Sequence, residues 1–154
     1  MPALPYSENV EMYLKSIFLQ GMEAAGRAKT GDISKDLHVS PSSVTEMLDK
    51  LQKEGLVRHA KYQGATLTRK GGAYARRILR KHCVLERFMV TALGYAEGTF
   101  HEEACRMEHV VSDETERRLR KLVGQPRTCP DCYDLRRHFC SRLFPARHAQ
   151  PRPR

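Results

Sequence analysis

Between His101 and His109 the chain reads HEEACRMEH. Offsets of three and four residues return a helix to the same face, so His101, Cys105, Glu108 and His109 fall on one stripe. Imidazole, thiolate and carboxylate are the side chains that bind transition metals. Nineteen residues before His101, His82 and Glu86 form a second pair at i,i+4 spacing on another predicted helix. Two helices that each offer ligands point to shared metal ions. Taken singly, Cys105 reads as a small buried hydrophobe, Glu108 and His109 as surface residues, and His82 with Glu86 as a simple helical pair. Only their joint occurrence at these spacings argues for metal.

The elements that must position these groups are legible from apolar periodicity and from capping residues. Ser7 is placed to cap a helix through Val10, Met12, Tyr13, Ile17 and Phe18 to about Met22, ended by Gly26. Thr30 is expected to cap a short helix, Ile33 to Leu37. Ser40 is a predicted N-cap with Pro41 at the first helical position, opening a helix to about Glu54 with Val44, Leu48 and Leu51 inward and Gly55 as its stop. Two strands follow, 56–62 and 65–67, turned at Gln63-Gly64. Thr68 then caps a long helix from Arg69 to about Leu93, closed by Gly94; the ligand helix is expected over Phe100 to Val111; and Ser112 caps a last helix stopped by Gly124 and Pro126. The fold class is mainly α: a winged helix-turn-helix domain (1–70), an all-helical dimerisation and metal-binding domain (71–126), and a Cys/Arg-rich tail (127–154).

Charge agrees with a nucleic-acid partner. The 154 residues carry a formal net charge of +9, and from Gly55 to Leu85 there are eight basic residues and no acidic one. A basic face beside a helix-turn-helix suits the DNA backbone. No apolar run approaches the roughly 20 residues of a membrane span, and the N-terminus lacks a signal-peptide pattern, so a cytoplasmic protein with no membrane partner is expected. Five cysteines, an odd number, argue for reduced thiols rather than a disulfide scaffold. No catalytic motif such as HExxH is present, which argues against a metalloenzyme. A winged-helix regulator that senses redox state or a small molecule is the alternative within the DNA-binding class.

In a winged helix-turn-helix the second helix enters the major groove by its N-terminal end. Here that end is Ser40-Pro41-Ser42-Ser43-Val44-Thr45-Glu46, with Lys50 and Lys53 further along. Ser40, Pro41, Ser42, Ser43 and Thr45 are small enough for close approach to bases and phosphates, Glu46 can accept from cytosine N4 or stay solvated, and Lys50 suits phosphate. Lys61 and Tyr62 at the wing tip complete the predicted DNA-binding set.

The segments VEMYLKSIF, SPSSVTEMLDKLQKEGLV, RKHCVLERFM and above all HEEACRMEHVVSDETERRL resemble the diphtheria toxin repressor family of metal-dependent transcriptional regulators, over about residues 5–128. The resemblance implies a repressor that binds a palindromic DNA operator as a metal-loaded homodimer. It implies a primary metal site of Met12, Cys105, Glu108 and His109, and an ancillary site of His82, Glu86 and His101. In longer members a C-terminal domain resembling an SH3 barrel adds ligands to the ancillary site; this chain is expected to lack it. An ion shared by Met12 and the 105–109 ligands would tie the two domains and so set the spacing of the recognition helices.

Donor softness argues for the metal independently. Thioether, thiolate, carboxylate and imidazole together suit Fe(II), Co(II), Ni(II) or Zn(II), whereas Mn(II) prefers oxygen and imidazole donors. The manganese regulators of the family carry acidic residues where Met12, Lys15 and Cys105 stand here. Fe(II) is the expected ion, with manganese or zinc sensing as the alternative. In the tail, Cys129, Cys132, His138 and Cys140 contain a CxxC that can open a small zinc site or form a redox pair, although the His138-x-Cys140 spacing is too close for an ordinary helix or strand face.

Overall fold

The computed structural model describes residues 6–23, 26–60, 62–96 and 99–124. They form, in order, α1 (Glu8–Glu23), α2 (Thr30–Leu37), α3 (Pro41–Lys53), β1 (Val57–Ala60), β2 (Gly64–Leu67), α4 (Arg69–Leu93), α5 (His101–Met107) and α6 (Asp113–Val123). The chain divides into two compact units, Met1–Ile78 and Leu79–Arg154, with the division inside α4.

In the first unit, apolar side chains at helical spacing meet in one core. Val10, Tyr13, Leu14 and Ile17 of α1 pack with Ile33 of α2, Val44, Leu48 and Leu51 of α3, Leu56, Val57 and Ala65 of the wing, and Ala75 of α4. Ser40 caps α3 as expected: its Oγ accepts the Ser43 N–H at 3.1 Å, with Pro41 at the first position. Thr68 is a two-way clasp. Its Oγ1 accepts the Gly71 N–H at 3.1 Å and donates to the Gly55 carbonyl at 2.7 Å, fixing the start of α4 to the end of α3.

Two expectations about these elements change. Thr30 is not the cap of α2 but its first residue; Lys29 is the N-cap and makes no side-chain cap bond. The Lys29 carbonyl instead takes the Asp32 and Ile33 N–H groups, so the main chain alone opens the helix. The wing strands are also displaced, to Val57–Ala60 and Gly64–Leu67, antiparallel with Val57 opposite Leu67 and Ala60 opposite Gly64. Leu56 is outside the first strand because its N–H closes the end of α3 on the Leu51 carbonyl. Ala28 adds a bridge to Ala65, and this close approach requires Gly64: a Cβ there would stand 2.6 Å from the Ala28 carbonyl oxygen, at φ +76°.

In the second unit, Leu85 and Met89 of α4 pack on Phe100 and Ala104, with Val90, Tyr95, Met107, Val111 and Leu119 against them. The ligand helix is shorter than expected, His101–Met107 rather than 100–111. The Val110 and Val111 N–H groups both turn back to the Met107 carbonyl, and Ser112 follows in extended backbone as the N-cap of α6, accepting the Thr115 N–H at 3.1 Å. Glu108 and His109 therefore sit at and beyond the end of α5. Among the described residues no helix is long and apolar enough to cross a membrane.

Candidate metal centre and nucleic-acid face

The second half of α4 presents 82, 85, 86 and 89 on one side, the i, i+3, i+4, i+7 pattern of a helix face. Leu85 and Met89 take the apolar contacts, and Phe100, the N-cap residue of α5, and Ala104 within it answer. Ala104 is wholly buried and small, which lets the two backbones approach. The neighbours of these core residues in sequence are then brought together: His82 and Glu86 from α4 meet His101, Cys105 and Glu108.

The distances define a continuous polar network. His82 Nδ1 lies 2.6 Å from Glu108 Oε2, and His82 Nε2 lies 2.8 Å from Glu86 Oε1. His101 Nδ1 reaches the same Glu86 oxygen at 2.9 Å, and Cys105 Sγ lies 3.5 Å from His101 Nε2 and 3.8 Å from His82 Nδ1. His109 Nε2 stands 3.4 Å from Glu108 Oε1. His82, Glu86 and Glu108 are buried, His101 and Cys105 half-buried, and the His109 side chain is only 3% exposed.

Burial pushes the Glu86 carboxyl up, but hydrogen bonds from His101 and His82 outweigh it and hold the group at about 2. The Cys105 contact, with that to Glu86, raises His101 to about 9 against the opposing effect of burial. At neutral pH the centre thus holds an ionised carboxylate and a cationic imidazole.

These residues fit a transition metal. His82, His101 and Cys105 offer donor atoms that all lie within 4.8 Å of one another. Ligands about 2.0–2.3 Å from a zinc-like ion stand within about 4.6 Å of each other, so small side-chain adjustments suffice. Glu86 Oε2 is buried with no hydrogen-bond partner among the described residues, an orphaned anionic oxygen that a cation would satisfy.

The placement of the sequence-predicted ligands can now be stated. His82, Glu86, His101, Cys105, Glu108 and His109 are brought into one network, in which Cys105 lies against the two ancillary histidines and Glu108 bonds His82. Of the two ligand sets implied by the resemblance, all the members that fall in this unit are therefore contiguous. Met12 is half-buried on α1 of the first unit. Cys129, Cys132, His138 and Cys140 lie outside the described residues, as does Lys61.

On the nucleic-acid face, Ser40, Pro41, Ser42, Ser43, Thr45, Glu46 and Lys50 are all exposed, while Val44, Leu48 and Leu51 between them are buried. The serines are linked: Ser40 Oγ is 2.8 Å from Ser42 Oγ and 2.9 Å from Ser43 Oγ, and Thr45 donates back to the Pro41 carbonyl. Tyr62 at the wing tip is 93% exposed at φ +64°. Between α3 and the wing runs a groove of about 640 Å³ lined by Lys29, Thr30, Thr45, Asp49, His59, Tyr62 and Gly64. Four of these, Lys29, Thr30, Asp49 and His59, were not foreseen. Asp49 has a signal, one turn beyond Thr45 on the same helix; His59 has none, since only strand pairing carries it to the groove.

Comparison with known proteins bears on both faces. Residues 6–65 match the family pattern described as iron dependent repressor, N-terminal DNA binding domain, and residues 68–134 that described as iron dependent repressor, metal binding and dimerisation domain. An uncharacterised HTH-type transcriptional regulator of Methanocaldococcus jannaschii is 43% identical over 74% of this chain and 91% of its own length. The iron-dependent repressor IdeR of Mycobacterium tuberculosis is 37% identical over 80% of this chain but only 53% of its own. Among solved structures, that of the manganese regulator SloR superposes with a TM-score of 0.68 at 37% identity, over 81% of this chain and 58% of that one. This chain thus spans a little over half the length of IdeR and SloR.

Proposed function

The chain belongs to the diphtheria toxin repressor family of metal-dependent regulators, and on that premise we propose that it is a metal-activated transcriptional repressor which binds a palindromic DNA operator as a homodimer. The observation that carries this reading is the network of buried His82, Glu86 and Glu108 with half-buried His101 and Cys105, including its orphaned Glu86 oxygen, in the same chain as a capped recognition helix that exposes its polar face. A dimer follows from the two-fold symmetry of such operators. The proposed ligands are Met12, Cys105, Glu108 and His109 for a primary site and His82, Glu86 and His101 for an ancillary one. The chain is not proposed to be an enzyme, and a cytoplasmic location is the one that suits it.

When bound, the metal supplies positive charge against the buried carboxylates and a fixed coordination geometry. The protein's own groups do the rest. Glu86 holds two imidazoles by one oxygen, Glu108 fixes the His82 ring through Nδ1, and the α4–α5 packing at Leu85, Met89, Phe100 and Ala104 sets the distance between the two ligand-bearing helices. Ordering this centre lowers the conformational entropy lost when DNA binds, and DNA must in turn tighten metal binding. Two imidazoles, a thiolate and carboxylates suit Fe(II), with Zn(II) as the nearest competitor by donor type. SloR is a manganese regulator, which makes Mn(II) the second reading.

The test is an anaerobic anisotropy titration on a palindromic duplex selected from random sequence. Binding should be at least about tenfold tighter with Fe(II) than with chelator, in the usual range of allosteric coupling. The Met12→Asp variant should shift the ratio of activation midpoints toward Mn(II), since a carboxylate replaces a thioether. Equal affinity with metal and chelator overturns the reading; an unchanged ratio removes Met12 from the ligand set.

A further inference from the structure

The groove between α3 and the wing contains an acidic side chain where a DNA-binding surface should be positive. Asp49 is on the exposed side of α3, its side chain 61% exposed, and its Oδ1 lies 3.6 Å from Nδ1 of His59, which is only 11% exposed. His59 is not placed there by chance contact. Its main-chain N–H donates to Gln52 Oε1 at 2.6 Å, so one turn of α3 holds β1 by the backbone at residue 59 and meets its ring through Asp49. The same two residues line the groove with Lys29, Thr30, Thr45, Tyr62 and Gly64.

A phosphate strand entering that groove brings negative charge beside the Asp49 carboxylate. Like charges at such range disfavour binding, and among the described lining residues two remedies are at hand: the Lys29 ammonium, or a proton on His59. Imidazole is the one side chain whose charge ordinarily changes between pH 5 and 8. Among the described residues, the titratable groups on the groove walls besides His59 are Asp49 from α3, Lys29 from the segment before α2, and Tyr62 from the wing turn. Asp49 is the only anion among them.

We propose that His59 is a positioning residue for DNA binding, taking up a proton as a duplex enters the groove and so neutralising and aiming the Asp49 carboxylate. This rests on the DNA-binding reading given above. The sign follows from linkage. The bound state carries more negative charge around His59 and therefore favours its proton, so affinity is higher at low pH and falls as pH rises.

The experiment measures duplex affinity from pH 5.5 to 8.5 at saturating metal for wild type, Asp49→Asn and His59→Gln, with metal loading checked at each pH. The wild type should lose affinity with pH more steeply than either variant, by up to about tenfold per unit for one proton. At pH 8 Asp49→Asn should bind more tightly than wild type, because the uncompensated anion is gone. His59→Gln should bind as weakly at pH 6 as the wild type does at pH 8. Asp49 is exposed, so its variant keeps the test valid if His59→Gln folds poorly. Equal pH slopes in wild type and Asp49→Asn overturn the proposal alone. Absence of duplex binding by every protein at every pH overturns the repressor reading with it.

Discussion

Helix α3 and the α4–α5 pair use polar residues in opposite ways. The recognition helix buries Val44, Leu48 and Leu51 and leaves Ser42, Ser43, Thr45, Glu46 and Lys50 in solvent. The other pair, with Glu108 at the end of α5, buries His82, Glu86 and Glu108 outright and pairs them with one another, leaving Glu86 Oε2 unpartnered among the described residues. Exposed polar groups cost almost nothing and wait for an external partner, whereas buried ionisable groups are costly unless each is paired. A substitution should therefore be mild on α3 and severe at the centre.

That contrast gives the largest expected effect. His82→Ala takes from Glu86 and Glu108 the imidazole they share, and removing one member of a buried charge network costs about 3–5 kcal/mol. Lys50→Ala, on the exposed face, should change stability by less than about 0.5 kcal/mol. Urea unfolding of the metal-free proteins measures both. Comparable losses for the two variants would break the comparison and mean that the network is solvated.

The two regions should also differ in the sign of their proton traffic. His101 holds its proton up to about 9, and an imidazole must lose it to ligate metal, while Glu86, at about 2, is already ionised. Metal binding near pH 7.5 should release about one proton from His101, and affinity should rise up to about tenfold per pH unit until about pH 9. Calorimetry in buffers of different ionisation enthalpy counts the proton; metal affinity flat from pH 6.5 to 9 would contradict it. Without metal the sign for stability reverses. The raised value of His101 favours the folded state fully below about 6.5 and is lost as pH climbs to 9; the lowered value of Glu86 contributes above about 4.5 and is lost as pH falls toward 2.

The same contrast explains what was legible in the sequence. The recognition helix announces itself through Ser40, Pro41 and Gly55, whose signals act over three or four residues, and the long helix from Arg69 to Leu93 is bounded as its Thr68 and Gly94 predict. The ligand types at 82, 86, 101, 105 and 108 are legible because helical spacing is local. Their joining is not: His82 and Glu108 are 26 residues apart, and only the packing of Phe100 and Ala104 on Leu85 and Met89 brings them to 2.6 Å. The early end of α5 was hidden because no glycine or proline stands between Met107 and Ser112. Thr30 looked like a cap because its type fits, yet a main-chain carbonyl one residue earlier does the work.

The smallest expected effect sharpens the comparison most closely, because Ser40 in the first unit and Ser112 in the second are capping serines of the same chemistry. Ser40 Oγ accepts the Ser43 N–H at the start of α3, and Ser112 Oγ accepts the Thr115 N–H at the start of α6, both at 3.1 Å. Ser40→Ala and Ser112→Ala should each cost about 1 kcal/mol, and the glycine variants only a few tenths. Their functional consequences should separate. Fraying the first turn of α3 disturbs Ser42, Ser43 and Thr45 where DNA is expected, so Ser40→Ala should weaken duplex binding several-fold at saturating metal while leaving the metal midpoint measured without DNA unchanged. Ser112→Ala loosens the start of α6, where Asp113 meets the buried Lys81 at 3.3 Å, and should raise that metal midpoint instead, with little change in duplex affinity once metal saturates. Identical effects of the two alanines on both readouts would show that the units do not respond separately.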